Sequence, residues 1–165
     1  MRASAAERLV DIVVMRETGT LAQISGDHII YSLRLPNQRM HFAASLIGRR
    51  INALGTAGRV MLATWPEAEA RTAFETWSIH QVTPKTITDR SKIAQSAAQA
   101  ARDGYSITQD QMILKEISIA APILNIDRRA DAAVQVSVSS LSYDIDTIMD
   151  KILPTLLDVA GGIQG

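Results

Sequence analysis

Ile117-Ser118-Ile119-Ala120-Ala121-Pro122-Ile123 and Ala133-Val134-Gln135-Val136-Ser137-Val138-Ser139 are two alternating runs that face each other across a turn. Side chains in a strand project to opposite faces in succession. Val134, Val136 and Val138 therefore share one face, and Gln135, Ser137 and Ser139 share the other. In the first run Ile117, Ile119 and Ala121 oppose Glu116, Ser118 and Ala120. Asn125, Asp127 and the pair Arg128-Arg129 lie between the runs and read as a hairpin loop. The stretch is a two-strand ribbon with an oily side and a side of small hydrogen-bonding groups. What the polar side faces, bulk water or a ligand, is the functional question.

Outward from the ribbon, the chain supplies helices on both flanks. Ala6, Leu9, Val10, Val13 and Val14 recur at helical spacing between Ser4 and Glu17, and Ser4 with Glu7 has the spacing of a capping box. Two strands follow, Thr20 to Ser25 and Ile29 to Leu35, joined by the turn dipeptide Gly26-Asp27 and closed by Pro36-Asn37. From Phe42 to Ala63 the chain is apolar and small, and Gly55-Thr56-Ala57-Gly58 reads as a helix entry capped by Thr56. A helix is expected over Pro66 to Trp77, and an extended segment over Thr83 to Thr88, held off helix by Pro84. The alanine-rich span Asp89 to Asp103 reads as a helix ending at Gly104, with Ile93, Ala97, Ala100 and Ala101 inward. Tyr105 to Thr108 starts a strand, and a polar loop through Asp110 leads back to the ribbon. Asp144 to Ala160 is the last helix, with Ile145, Ile148, Met149, Ile152, Leu156 and Val159 on one face and Pro154 kinking or splitting it. Hairpin-connected strands with helices gathered around them imply an α+β fold on a mainly antiparallel sheet. Such a sheet can give one face to helices and keep the other for a site.

Composition bounds the function classes. The 165 residues suffice for one domain, and 47% hydrophobic with 21% charged content is ordinary for a globular chain. Seventeen Lys and Arg balance seventeen Asp and Glu, so the basic excess of a nucleic-acid-binding domain is missing. The chain contains no cysteine, which excludes disulfides, thiolate metal sites and thiol catalysis. No run approaches the roughly 18 apolar residues that span a bilayer, and Glu7 with Arg8 interrupts any signal-peptide core. A soluble, cytoplasmic protein is expected, without a membrane partner.

No constellation commits the chain to catalysis. His28, His41 and His80 are far apart and lack metal-ligand spacing. Gly55-x-x-Gly58-Arg59 lacks the Lys-Ser/Thr pair of a phosphate loop and reads as a tight turn before a helix. Arg49-Arg50 and Arg128-Arg129 read as solvated loop charges, and Glu116, the one formal charge on the ribbon's polar face, either contacts a cationic or hydroxylated ligand or lies in water at the sheet end, which spacing alone favours. No catalytic residue, metal ligand or cofactor is assigned.

Four blocks in a fixed order carry a resemblance over nearly the whole chain, from about Leu9 to Ile163. They are Gly48 followed by Thr56-Ala57-Gly58-Arg59-Val60-Met61-Leu62-Ala63; Arg102-Asp103-Gly104-Tyr105-Ser106; Ile119-Ala120-Ala121-Pro122-Ile123; and Ala132-Ala133-Val134-Gln135-Val136-Ser137. Together they resemble the C-terminal effector-binding domain of IclR-family transcriptional regulators. The resemblance implies a GAF-like or profilin-like fold that binds a small organic effector, often a carboxylic or aromatic acid. It places ligand contacts at Thr56, Ala57, Thr108, Ser118, Gln135 and Ser137. Ser118, Gln135 and Ser137 lie on the face already called polar from alternation, and Glu116 continues that face. Arg59 stands where the family usually has Lys, a position taken as structural. Thr108 replaces a frequent acid, Gln135 a smaller residue, and Glu116 an apolar one. The implied pocket is bulkier at one wall and more polar than an α-keto-acid site.

Residues 1–165 are accordingly expected to form one effector-binding domain, with 1–18 as a connecting helix. The resemblance further implies a homodimer or tetramer, and DNA contact only through a winged helix-turn-helix domain for which this chain has no room. Two rival readings remain: a small hydrolase-like enzyme built on Glu116 and Ser118, and an oligomerisation module without a ligand.

Overall fold

The computed structural model describes residues 18–35 and 50–163. Within them the chain runs β1 (Thr18–Ser25), β2 (His28–Leu35), β3 (Arg50–Asn52), α1 (Thr56–Leu62), α2 (Glu67–Thr76), α3 (Arg90–Asp103), β4 (Ser106–Gln109), β5 (Glu116–Ile123) and β6 (Ala132–Ser139). It ends with α4 (Ile145–Thr147), a π-helical turn (Ile148–Ile152) and α5 (Leu153–Gly162). The expected helix from Ser4 to Glu17, the closure at Pro36-Asn37, and Phe42, Gly48 and His41 lie outside the described residues.

The six strands form one sheet in the order β3-β2-β1-β6-β5-β4, and every pairing is antiparallel. β5 and β6 occupy interior positions. Their hairpin is held as the sequence suggests: Asn125 Oδ1 accepts from the amides of Asp127 and Arg129, and Arg128 adopts a φ of 61°. Arg129 is not a solvated charge. Its guanidinium lies 4.0 Å over the Trp65 ring and donates to Glu69 at 2.6 Å.

Both faces of the ribbon are covered, so its polar side does not face bulk water. Ile117, Ile119, Ala121, Val134, Val136 and Val138 pack against Ile148, Ile152, Leu156 and Val159 of the C-terminal helical segment. Full burial of each such aliphatic side chain contributes about 1.5–3 kcal/mol. On the opposite face Ala120 and Ala133 pack against Ala57, Val60 and Met61 of α1. Small residues at these sheet positions let α1 approach closely, and Gly58 lets the helix close on the turn that precedes it. A Cβ there would lie 1.3 Å from the Ala53 carbonyl oxygen.

Several local expectations are revised. Gly55, not Thr56, is the N-cap of α1; Thr56 is its first helical residue and its hydroxyl bonds Thr108. Thr83 to Thr88 is not extended. The amide of Thr83 donates to Thr86 Oγ1 at 2.8 Å and the amide of Thr86 to the Thr83 carbonyl, which folds Pro84-Lys85 into a turn. Asp89 caps α3 and Gly104 ends it at a φ of 81°, as expected, but Ala101 is exposed while Ile93, Ala97 and Ala100 are buried. Pro154 sits in the first turn of α5, directly after the π turn, and Ile145 is exposed.

Candidate functional site

Register builds the site. Thr108 of β4 pairs with Ser118 of β5, and Ser118 pairs with Ser137 of β6. Cross-strand partners project to the same face, so three hydroxyls stand in one row across the sheet. In the adjacent row Ser106, Ala120, Gln135 and Thr20 are successive partners. α1 crosses above these rows with its first turn over Thr108.

A buried cavity of about 20 Å³ lies between them. Six of the seven expected residues border it: Thr56, Ala57, Thr108, Glu116, Ser118 and Gln135. Ser137 does not border it; it is 1% exposed and accepts from Gln135 Nε2 at 3.4 Å. Glu116 is 9% exposed, not in open water as its position at the strand end suggests. Its Oε1 accepts from Ser118 Oγ at 3.2 Å. Gln135 Nε2 also lies 3.4 Å from Tyr31 Oη. Thr20 Oγ1, in register with Gln135 and fully buried, has no hydrogen-bond partner among the described residues.

The cavity has walls that the sequence reading missed. Ile29 and Tyr31 come from β2, Ile51 and Asn52 from β3, and Gln111 with Met112 from the loop after β4. Two hydroxyls clamp that loop: Thr83 Oγ1 donates to the Asp110 carbonyl at 2.6 Å, and Thr86 Oγ1 to the Gln111 carbonyl at 2.7 Å. Asp110 itself takes a φ of 60°, and its carboxylate accepts from the Lys115 amide at 2.6 Å. Alternation in β2 offered a signal for Ile29 and Tyr31. Nothing in a polar loop marks Gln111 and Met112 as inward.

Within α1, Arg59 is only 2% exposed. Its Nε donates to the Leu54 carbonyl at 2.8 Å. Burial pushes the guanidinium down to about 10. Among the described residues His28 pairs with Asp27, His80 is exposed, and no group of three or more His, Asp or Glu is placed to hold a metal. No helix of the described residues is long and apolar enough to cross a membrane.

A family model for the bacterial transcriptional regulator IclR C-terminal region matches residues 3–164. The chain belongs to that family. Among curated relatives, the HTH-type transcriptional regulator XynR of Escherichia coli K12 is 28% identical over 131 residues, covering 79% of this chain and 51% of XynR. The chain thus spans about half the length of the curated relatives it matches. Among solved structures, a transcriptional regulator of Rhodococcus sp. RHA1 superposes with a TM-score of 0.85 at 26% identity, over 93% of this chain and 63% of that one. The PobR inducer-binding domain from Acinetobacter, solved as a double mutant in complex with 3-hydroxybenzoic acid, gives 0.79 at 21% identity, over 92% and 89%. The antiparallel sheet with flanking helices is the fold these IclR C-terminal domains share. The cavity therefore sits on the sheet face beneath α1 of an IclR-type domain.

Proposed function

We propose that this chain is the effector-sensing domain of a transcriptional regulator, and that its effector is a small organic acid, aromatic or hydroxylated. The observation that carries the reading is the convergence of six polar or small residues from α1, β4, β5 and β6 on one buried cavity. Buried hydroxyls, an amide and a carboxylate need hydrogen-bond partners. Here they find them in one another, and a ligand with its own hydroxyl and carboxyl groups can exchange into that network, while Ile29, Ile51 and Met112 supply apolar walls. The name of the PobR complex, an inducer-binding domain with a hydroxybenzoic acid, supports the ligand class. At about 20 Å³ the cavity holds about one water. An aromatic acid therefore selects a wider state in which α1 or the Gln111-Met112 loop moves off the sheet. That differential affinity is what couples ligand to conformation. In the whole regulator the same shift would alter DNA-binding competence through a domain outside this chain, within a homodimer or tetramer. Under this reading the chain is no enzyme: Ser118 lies against Glu116, but among the described residues no His or Lys borders the cavity to complete a mechanism.

Thermal unfolding with a panel of benzoates, hydroxybenzoates and short aliphatic acids tests the proposal. A true effector at a hundredfold its Kd adds about 2.7 kcal/mol of stability. Thr108→Val, which removes a hydroxyl at nearly constant volume, is expected to weaken that ligand about tenfold, the worth of one hydrogen bond. A panel without any stabiliser, or a stabiliser indifferent to Thr108→Val and Gln135→Ala alike, would overturn the assignment.

A further inference from the structure

Arg59 is a buried cation without an anion. Among the described residues no carboxylate lies within 4 Å of it; its hydrogen-bond acceptors there are the Leu54 carbonyl, Ser96 Oγ at 3.5 Å and Gln111 Oε1 at 3.5 Å. A guanidinium carries five N–H donors in a planar fork that fits a carboxylate two bonds at a time. Here one donor has a short bond, two have long ones, and the others have no acceptor among the described residues. A buried charge left in this condition costs stability unless something pairs with it. The lowered pKa of the group, caused by burial alone, reports the same imbalance.

A second cavity, of about 40 Å³, opens against this guanidinium. Its walls are largely apolar, with Leu54, Ile79, Val82, Ile87 and Ile93 among them, and no Asp or Glu lines it. Weak screening in such surroundings strengthens any charge pair formed inside. Ile51, Asn52, Gly55, Gln111 and Met112 line both this cavity and the one proposed for the effector. The two spaces thus share a wall made by the end of β3, the turn before α1 and the Gln111-Met112 loop. Gln111 has an amide oxygen where an anion's oxygen would sit, and it is held by the Ile87 amide at 2.9 Å.

We infer that Arg59 and the cavity beside it form a carboxylate-binding site, and that the acid end of the effector reaches it past Gln111. The site would stand without an effector, but its place as the charged end of the pocket rests on the sensing role proposed above. Hydroxyls on the sheet then read the ligand's neutral polar groups, and Arg59 reads its charge from the far side of the same wall. An acid is thereby distinguished from its amide or ester.

The test uses the full chain with formate, benzoate and benzamide as probes, at constant ionic strength against chloride. In the wild type, formate and benzoate are expected to raise the unfolding midpoint and to move the Arg59 Nε–H resonance, and benzamide to do neither. Arg59→Met should lose the response to formate and bind benzoate about tenfold more weakly, the loss of a charged contact. Arg59→Lys should keep a weakened response. The resonance reads the wild type, so a variant that fails to fold does not remove the test. Benzoate binding that leaves the resonance still and is unchanged in Arg59→Lys would overturn this inference and leave the effector reading intact. A formate response without binding of any larger acid would support the site and sink the effector reading. No response to formate or benzoate at Arg59 would overturn the site.

Discussion

Gly58 shows how much one hydrogen atom decides here. A methyl group in its place would lie 1.3 Å from the Ala53 carbonyl oxygen and 2.4 Å from the carbonyl carbon, both backbone atoms that cannot swing aside. Gly58→Ala is expected to destabilise the domain by about 3 kcal/mol or more, measured by urea unfolding. Gly55→Ala is its control, because a Cβ there meets the Asn52 carbonyl oxygen at an ordinary 3.5 Å. The sequence reading treated the two glycines as one pattern. Their difference depends on where the Ala53 carbonyl lies, which no spacing within the pattern encodes. Ser118 and Gln135 were legible because strand alternation is a local rule, and the sheet obeys it across β5 and β6. Gln111 and Arg59 were not: one sits in a loop clamped by Thr83 and Thr86, and the other stands at a position read as structural, with no local signal that its charge would be buried next to a cavity.

Among the elements, the C-terminal helical segment combines a legible stripe with an illegible start. Ile148, Ile152, Leu156 and Val159 recur at spacings of three and four and all face the sheet. Pro154 has no amide to give to the preceding turn, and the chain answers with the π turn from Ile148 to Ile152. The extra residue in that turn rotates everything before it relative to α5, which is why Ile145 falls off the stripe into solvent. The start of the segment is held by Asp144, whose Oδ1 accepts from the Thr147 amide at 2.7 Å. That backbone hydrogen bond holds the Asp144 carboxyl below its ordinary value. A folded-state pKa below the unfolded one gives stability that is present above the unfolded value and lost as pH falls through the folded one. Asp144→Ala is therefore expected to be less stable than wild type at neutral pH, with the gap narrowing below about pH 4. Thermal unfolding across pH 7 to 2 measures it; a gap constant over that range would contradict the capping role.

At the scale of the whole molecule, the sheet serves two cores at once, one under the C-terminal segment and one under α1. That division was half legible: the oily face was, whereas the cover over the polar face depends on α1 arriving from elsewhere in the chain. The β1–β2 hairpin has the same double duty, and it meets it with a β-bulge. Leu21 pairs with Leu33 and the adjacent Ala22 with Tyr31, so Ser32 has no partner of its own. Strict alternation would put Tyr31 and Leu33 on one face. The bulge sends Leu33 to the core under the C-terminal segment and Tyr31 to the cavity side. In terms of insertions and deletions, Ser32 is a residue the hairpin can lose without changing the phase of its neighbours. Deleting it leaves Tyr31 and Leu33 adjacent and still on opposite faces, and is expected to yield a folded domain with a regular, less twisted hairpin. Deleting Ile30 instead inverts Ile29 and is expected to unfold it, as circular dichroism of the two variants would reveal. A gap at Ser32 alters curvature; a gap two residues earlier alters which side of the sheet the chain is speaking to.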